Sequence, residues 1–396
     1  MNMFSISVIM GLFYDDDRIY FISAYIYAVM VYDCHTKKVD ILSDFPEEVQ
    51  FVRAFEKIIK YDGKIYLFPC FAEDIYCYDL GKDEYYRLNI LSTVLNRMNK
   101  RKRLSVLAHA GRIYCICRCP NMVICIDPKT DEFQIHMMPQ ELLREEETAG
   151  KPFFDGLIKG DHLIYPYMNN AIIEFSLEEK VFTVNYLDET LEEPSDNIYD
   201  IILGMCIDPN GVIWICDASG QVFQIVSNRR IKISVPDDFI ERYNDGYRKR
   251  PGFHKILMIG NDLCFILRSA CKIQKYNIDT QDSLWDNNDL AEWNSESSQV
   301  AFFHDAQIDD ETFWLYNQND NAVYKWNYKE GFTEKVELKI SIDTLLGSRL
   351  DENRVLNVIR REDDLNGYIQ YIKCGYGNSM QEKHINCGEK IYYELL

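Results

Sequence analysis

Seven times along this 396-residue chain, a doublet of turn-forming residues is followed at once by an apolar, aromatic-rich run. The copies are DDRIYFIS from Asp16, DGKIYLFP from Asp62, AGRIYCIC from Ala110, GDHLIYPY from Gly160, NGVIWICD from Asn210, GNDLCFIL from Gly260 and DDETFWLY from Asp309. Their first core positions are Ile19, Ile65, Ile113, Leu163, Val212, Leu263 and Phe313, at spacings of 46, 48, 50, 49, 51 and 50 residues. A weaker eighth copy, DENRVLNVI, puts Val355 in the same place after 42 residues. A fixed period near fifty is the mark of a repeat architecture, in which each unit buries its apolar face only against its neighbours.

Each unit continues alike. A polar break follows the run, then a short strand ending in Asp or Asn: Asp33, Asp79, Asp127, Asn277 and Asn327 all stand 14 residues after their core positions. Asp and Asn in such places bond their own backbone two residues on, so they read as turn formers, not ligands. A closing strand follows, and another apolar strand precedes each doublet. Four short antiparallel strands at this period make a β-propeller blade. Both faces of each blade are covered by neighbours, which is why both parities of the strands are apolar. The fold class expected is all-β, one propeller domain over 1–396. Approximate blades are 4–42, 52–90, 103–138, 153–187, 200–235, 253–285, 300–340 and 341–396. Eight blades are favoured, with seven blades and a C-terminal extension as the alternative, because MNMFSIS is too short to donate an outer strand.

The stretch IYCICRCPNMVICIDPKTDEFQIH (Ile113–His136) is similar to a kelch repeat in its two strands, its Asp-Pro-x-Thr turn and the aromatic after it. Tyr85, Tyr86, Phe133 and Trp285 stand near the place of the family's tryptophan. The kelch Gly-Gly doublet is absent from every copy, so the resemblance implies a propeller fold and no activity.

Cys115, Cys117 and Cys119 alternate in that stretch, with Cys125 close behind. Along a strand rising about 3.3 Å per residue, Cys115 and Cys119 stand roughly 13 Å apart. One tetrahedral zinc with bonds of about 2.3 Å cannot gather all three. They read as core residues, since free cysteine packs as a small hydrophobe. The thirteen cysteines, with no positively charged leader before the apolar N-terminal stretch, are expected as thiols in the cytoplasm. No apolar run approaches the roughly 18 residues of a membrane span. A formal net charge of −20 repels nucleic acid and anionic lipid, so neither is an expected partner.

No G-x-G-x-x-G, G-x-x-x-x-G-K-[ST], G-x-S-x-G or H-E-x-x-H motif occurs. Function must therefore sit on loops or in the channel. The connectors between blades (89–103, 138–152, 187–200, 236–252 and 285–299) share one rim with the loops between second and third strands. Several read as short helices. This decorated face is the expected site for another protein or a peptide. NRMNKRKR (Asn96–Arg103) reads as a solvated helix end, or a contact for an acidic partner.

Eight and nine residues before each core position lie Met10-Gly11, Glu56-Lys57, Leu104-Ser105, Phe154-Asp155, Leu203-Gly204, His254-Lys255, His304-Asp305 and Leu346-Gly347. In this register Glu56, Lys57, Asp155 and Lys255, with Arg103 one position earlier where other units carry an aromatic, become ligand-binding candidates at the channel mouth. His254, His304 and Asp305 become its acid/base candidates, because imidazole titrates near neutrality. The second reading is thus a propeller lyase or hydrolase. No cofactor is called for, although the imidazole-carboxylate set would suit a divalent metal.

Overall fold

The computed structural model describes residues 3–6, 9–24, 26–50, 53–94, 104–118, 121–142, 156–167, 171–187, 202–217, 222–226, 229–233, 253–267, 271–290, 302–318 and 320–348. A first short strand, β1 (Met3–Ser5), precedes the blades. Blade one is β2 (Ile9–Asp15), β3 (Arg18–Ser23), β4 (Ala28–Asp33) and β5 (Lys38–Asp44); blade two is β6 (Phe55–Tyr61), β7 (Lys64–Pro69), β8 (Tyr76–Asp79) and β9 (Glu84–Arg87). Blade three is β10 (Leu104–His109), β11 (Arg112–Arg118), β12 (Asn121–Ile126) and β13 (Phe133–Met137); blade four is β14 (Leu157–Lys159), β15 (His162–Tyr167), β16 (Ala171–Ser176) and β17 (Phe182–Tyr186). Blade five is β18 (Ile202–Ile207), β19 (Ile213–Asp217), β20 (Val222–Val226) and β21 (Arg229–Ile233); blade six is β22 (Phe253–Ile259), β23 (Asp262–Leu267), β24 (Lys272–Asn277) and β25 (Ser283–Asn287). Blade seven is β26 (Phe302–Gln307), β27 (Thr312–Asn317), β28 (Ala322–Asn327) and β29 (Gly331–Glu337), followed by β30 (Lys339–Ser341) and helix α2 (Ile342–Gly347). Each blade is one antiparallel sheet with its strands in sequence order.

The doublets are the first hairpin turns. Asp16-Asp17, Asp62-Gly63 and Ala110-Gly111 all have positive φ at both positions, from 44° to 78°. That is the type I′ turn, whose twist matches the flanking strands. Blades five and seven use longer loops, 208–212 and 308–311, since Ile207 pairs Ile213 and Gln307 pairs Phe313. Val212 therefore falls in a loop. Ile213 takes the core position and packs towards blade four with Ile215. The second turns behave as read. The Oδ1 of Asp33, Asp79, Asp127, Asn277 and Asn327 accepts the N–H two residues on.

Strand alternation then sorts the core between neighbours. In β11, Ile113, Cys115 and Cys117 pack towards blade two, while Tyr114 and Ile116 pack towards blade four. Cys115 is fully buried, and burial pushes its thiol pKa well up. The core reading of these cysteines is borne out for Cys115, Cys117 and Cys125; Cys119 lies outside the described residues.

The ring closes with seven blades. Ile19 and Phe21 of blade one share a buried cluster with Trp314 and Tyr316 of blade seven. The eighth blade favoured from the sequence has no place between them. Leu346 and Gly347, expected on its innermost strand, belong to α2, which Ser341 caps by accepting the Thr344 N–H at 3.0 Å. DENRVLNVI and the rest of 349–396 lie outside the described residues. The N-terminal segment is not idle. Met3–Ser5 pairs antiparallel with Lys339–Ser341 outside the blades, and buried Phe4 and Ile6 enter the seam between blades one and seven. Of the expected connector helices, α1 (Leu91–Val94) and a 3-10 turn at Gln140–Leu142 are present. Residues 285–287, expected in a connector, are instead in β25; 188–201, 234–252 and 291–301 lie outside the described residues.

Candidate functional site

The innermost strands carry a recurring irregularity at the channel mouth. Pairing with the second strand shifts between Met10/Leu12, Phe55/Lys57, Ile202/Gly204, Phe253/Lys255 and Phe302/His304. Gly11, Glu56, Leu203, His254 and Phe303 are therefore the extra residues of β-bulges, which bend a strand and re-aim its side chains. Gly11 shows why blade one needs glycine here. Its φ is +70°, and a Cβ would lie 3.1 Å from both the Glu56 carbonyl oxygen and the Lys57 Cα of blade two.

The bulges reset the register of the expected ring. Lys57, Ser105, Gly204 and Lys255 occupy equivalent pairing positions, opposite Phe68, Ile116, Cys216 and Ile266. In blade one the equivalent residue is Met10, not Gly11. In blade seven it is His304, with Asp305 one step further along, because the longer 308–311 loop displaces the strand. These positions share the face turned towards the next blade. Met10 enters the core between blades one and two, and Ser105 Oγ accepts the Gly156 N–H of blade four at 3.2 Å.

Lys255 and Asp305 are brought together. Lys255 Nζ lies 2.5 Å from Asp305 Oδ2, bridging blades six and seven, with side chains 26% and 16% exposed. Lys57 and Glu56 are half-buried on blade two, and Lys57 acts electrostatically on Cys115. His304 is half-buried on the face that Ala306 turns towards blade one. Arg103 and Asp155 lie outside the described residues, as does the side chain of His254. Among the described residues no three His, Cys, Asp or Glu side chains are grouped to hold a metal ion.

Two polar clusters escaped the sequence reading. Asp131, in the last turn of blade three, accepts Lys64 Nζ at 2.5 Å, Tyr66 OH at 2.6 Å and Tyr86 OH at 2.7 Å, all from blade two. Burial raises its pKa, but those three donors outweigh burial and hold it below the usual value; burial and the carboxylate together push Tyr66 far up. The second cluster rigidifies the decorated face. Asp74 is fully buried and accepts the N–H groups of Ile75, Ile90, Leu91 and Ser92, fixing the start of α1 to the loop after β7. The N–H groups of Cys70, Phe71 and Ala72 all point at the Ala54 carbonyl. Phe71 is thereby held out at 43% exposure. The only sequence trace of either cluster is an acidic residue within a turn or loop, which is too common to mark a site.

Seven closed four-stranded blades define a β-propeller, and a polar channel mouth with one ordered loop face is its candidate site. No protein-family model matches the chain, and no curated protein matches it in sequence. Solved structures do match. Sqt1 of Saccharomyces cerevisiae is similar with a TM-score of 0.56 at 9% identity, covering 84% of this chain and 86% of that one. Virginiamycin B lyase from Staphylococcus aureus gives 0.53 at 14% identity, covering 80% and 95%. The computationally designed Ika8 protein gives 0.51 at 10% identity, covering 85% and 88%. At these identities the likeness is one of fold alone, and an enzyme and a designed protein share it.

Proposed function

We propose that this chain is a protein- or peptide-binding propeller whose decorated face carries the binding surface. The observation that supports this reading is the order built into that face: buried Asp74 spends both carboxylate oxygens on backbone N–H groups, so that α1 and the Phe71 loop stand rigid above the ring. Scaffold-borne loops of this kind are where binding residues concentrate. The Lys255–Asp305 pair ties blades six and seven together beneath that face. Ten described cysteines are free, nine of them buried, which supports a reducing, cytoplasmic setting.

The test compares faces. Partners retained by the wild-type protein should be lost with Phe71→Ser plus Glu73→Lys, and kept with Asp16→Asn plus Lys129→Ala on the opposite turns. Retention by both variants, or loss by both while each stays folded, rejects the reading. A stoichiometric divalent ion in protein purified without added metal, lost on replacing His254 and His304, would favour the enzyme instead.

A further inference from the structure

The perimeter of a propeller is a ring of sheet edges, one per blade. Proteins protect such edges with charged side chains, because an unprotected edge is a template for another strand. Five of the seven outer strands follow this rule, with Asp40 in β5, Arg87 in β9, Lys232 in β21, Asp286 in β25 and Glu334 in β29. The outer strands of blades three and four, FQIHM and FTVNY, carry no Asp, Glu, Lys or Arg. In β17 the leading Phe182 is buried and the Tyr186 hydroxyl donates to the Leu142 carbonyl. β13 is the open one: Phe133 is 36% and Met137 47% exposed, with Ile135 half-buried between them.

The backbone of β13 faces outward at the same three residues. Asp127 N–H donates to the Glu132 carbonyl and Met138 N–H to the Asn121 carbonyl, with Cys125 opposite Gln134 and Val123 opposite His136 between them. Hydrogen-bonded pairs alternate along an antiparallel ladder. Residues 132, 134, 136 and 138 therefore turn their N–H and C=O groups inward to β12. Phe133, Ile135 and Met137 turn theirs outward, beyond the end of the sheet. The remaining titratable side chain, His136, lies against the Phe175 ring at 5.2 Å, where burial, with Lys180 nearby, lowers its pKa. An exposed acidic residue stands at each end, Glu132 before the strand and Glu141 after it.

We propose that β13 takes an added antiparallel strand from a partner protein. The segment it fits is extended, apolar opposite Phe133, Ile135 and Met137, and basic at its ends. This is strand addition, in which main-chain bonds supply affinity and alternate side chains supply specificity. A second copy of this chain would bring the same acidic ends and a net charge of −20 to the contact, which argues against self-pairing. The site lies on the perimeter and does not depend on the decorated face.

The probe is a capped, fluorescein-labelled KKVTITVKK peptide, read by fluorescence anisotropy. Ile135→Pro removes one outward N–H and no bond to β12, and proline is tolerated at such edge positions. Binding in the micromolar range should weaken at least about tenfold with Ile135→Pro. It should weaken comparably with Met137→Lys, which leaves the backbone intact, with alternate N-methylation of the peptide, and with the acidic peptide EEVTITVEE. Circular dichroism and melting verify that both variants fold, and Met137→Lys alone decides the matter if the proline variant does not. Equal binding by wild type and Met137→Lys overturns the proposal, as does equal affinity for the two peptides or no binding below millimolar concentration. A wild-type dimer in sedimentation equilibrium that Met137→Lys abolishes would make a second copy the occupant, and equally overturns it.

Discussion

Asp131→Asn removes one charge from the seam between blades two and three and changes almost nothing else. Asp131 sits at φ 59°, a left-handed conformation that Asn adopts as readily as Asp, so backbone strain cancels. The wild-type carboxylate accepts Lys64, Tyr66 and Tyr86 together. A hydrogen bond to a charged group contributes about 1.5–3 kcal/mol. The three share one carboxylate, Asn retains one acceptor, and the side chain is 23% exposed. Tyr66 and Lys64 also keep the Pro128 carbonyl, at 3.1 and 3.3 Å. The expected loss is therefore about 2 kcal/mol, near the lower end for a single charged bond. The pH dependence has a definite sign. The folded pKa lies below the unfolded value of 3.8, so the stabilisation is complete above pH 3.8 and fades as pH falls through the folded pKa. Urea unfolding of wild type and Asp131→Asn at pH 7 and pH 3 should show a gap of about 2 kcal/mol that shrinks at pH 3. A gap under about 0.5 kcal/mol at pH 7, or one unchanged at pH 3, would refute the charge-assisted seam.

Further predictions separate other causes. Gly11→Ala meets blade two and an unfavourable φ, and should cost about 2–4 kcal/mol in chemical denaturation, against about 1 kcal/mol for Gly63→Ala, whose φ is +78° but whose surroundings are open. Comparable losses would remove the steric argument. Phe4→Ala should cost about 3 kcal/mol and raise hydrogen exchange in β1, β30 and β26 before other blades, since Phe4 is 1% exposed in the closing seam. Uniform exchange would mean the seam is not closed there. Cys115, Cys206 and Cys264 are all buried with thiol pKa values pushed up by burial, so iodoacetamide should label them at least about tenfold more slowly in folded than in urea-unfolded protein.

The resemblance to solved propellers does not extend to function, because the same ring serves proteins at 9 to 14% identity with this one. What distinguishes this chain lies in its loops and edges. The turn doublets, the Asp/Asn turn formers and the apolar runs were readable because each is a local device: a type I′ turn needs two residues at positive φ whatever surrounds it. The cysteine row was readable for the same reason, since alternation on a strand is fixed by the pleat.

The sequence by itself determined the repeat, the four strands of a blade and the core positions of most of them. It did so because period and alternation are properties of neighbouring residues. Only the tertiary structure decided the number of blades, since closure depends on Ile19 and Phe21 meeting Trp314 and Tyr316 across nearly the whole chain. It also decided the register at the channel mouth. There a bulged residue moves Gly11 out of the layer of Lys57 and Lys255, and a loop longer than a hairpin turn in blade seven moves Asp305 out of it while still letting it reach Lys255. One extra residue reverses the facing of every side chain beyond it, and no local pattern announces where it is absorbed.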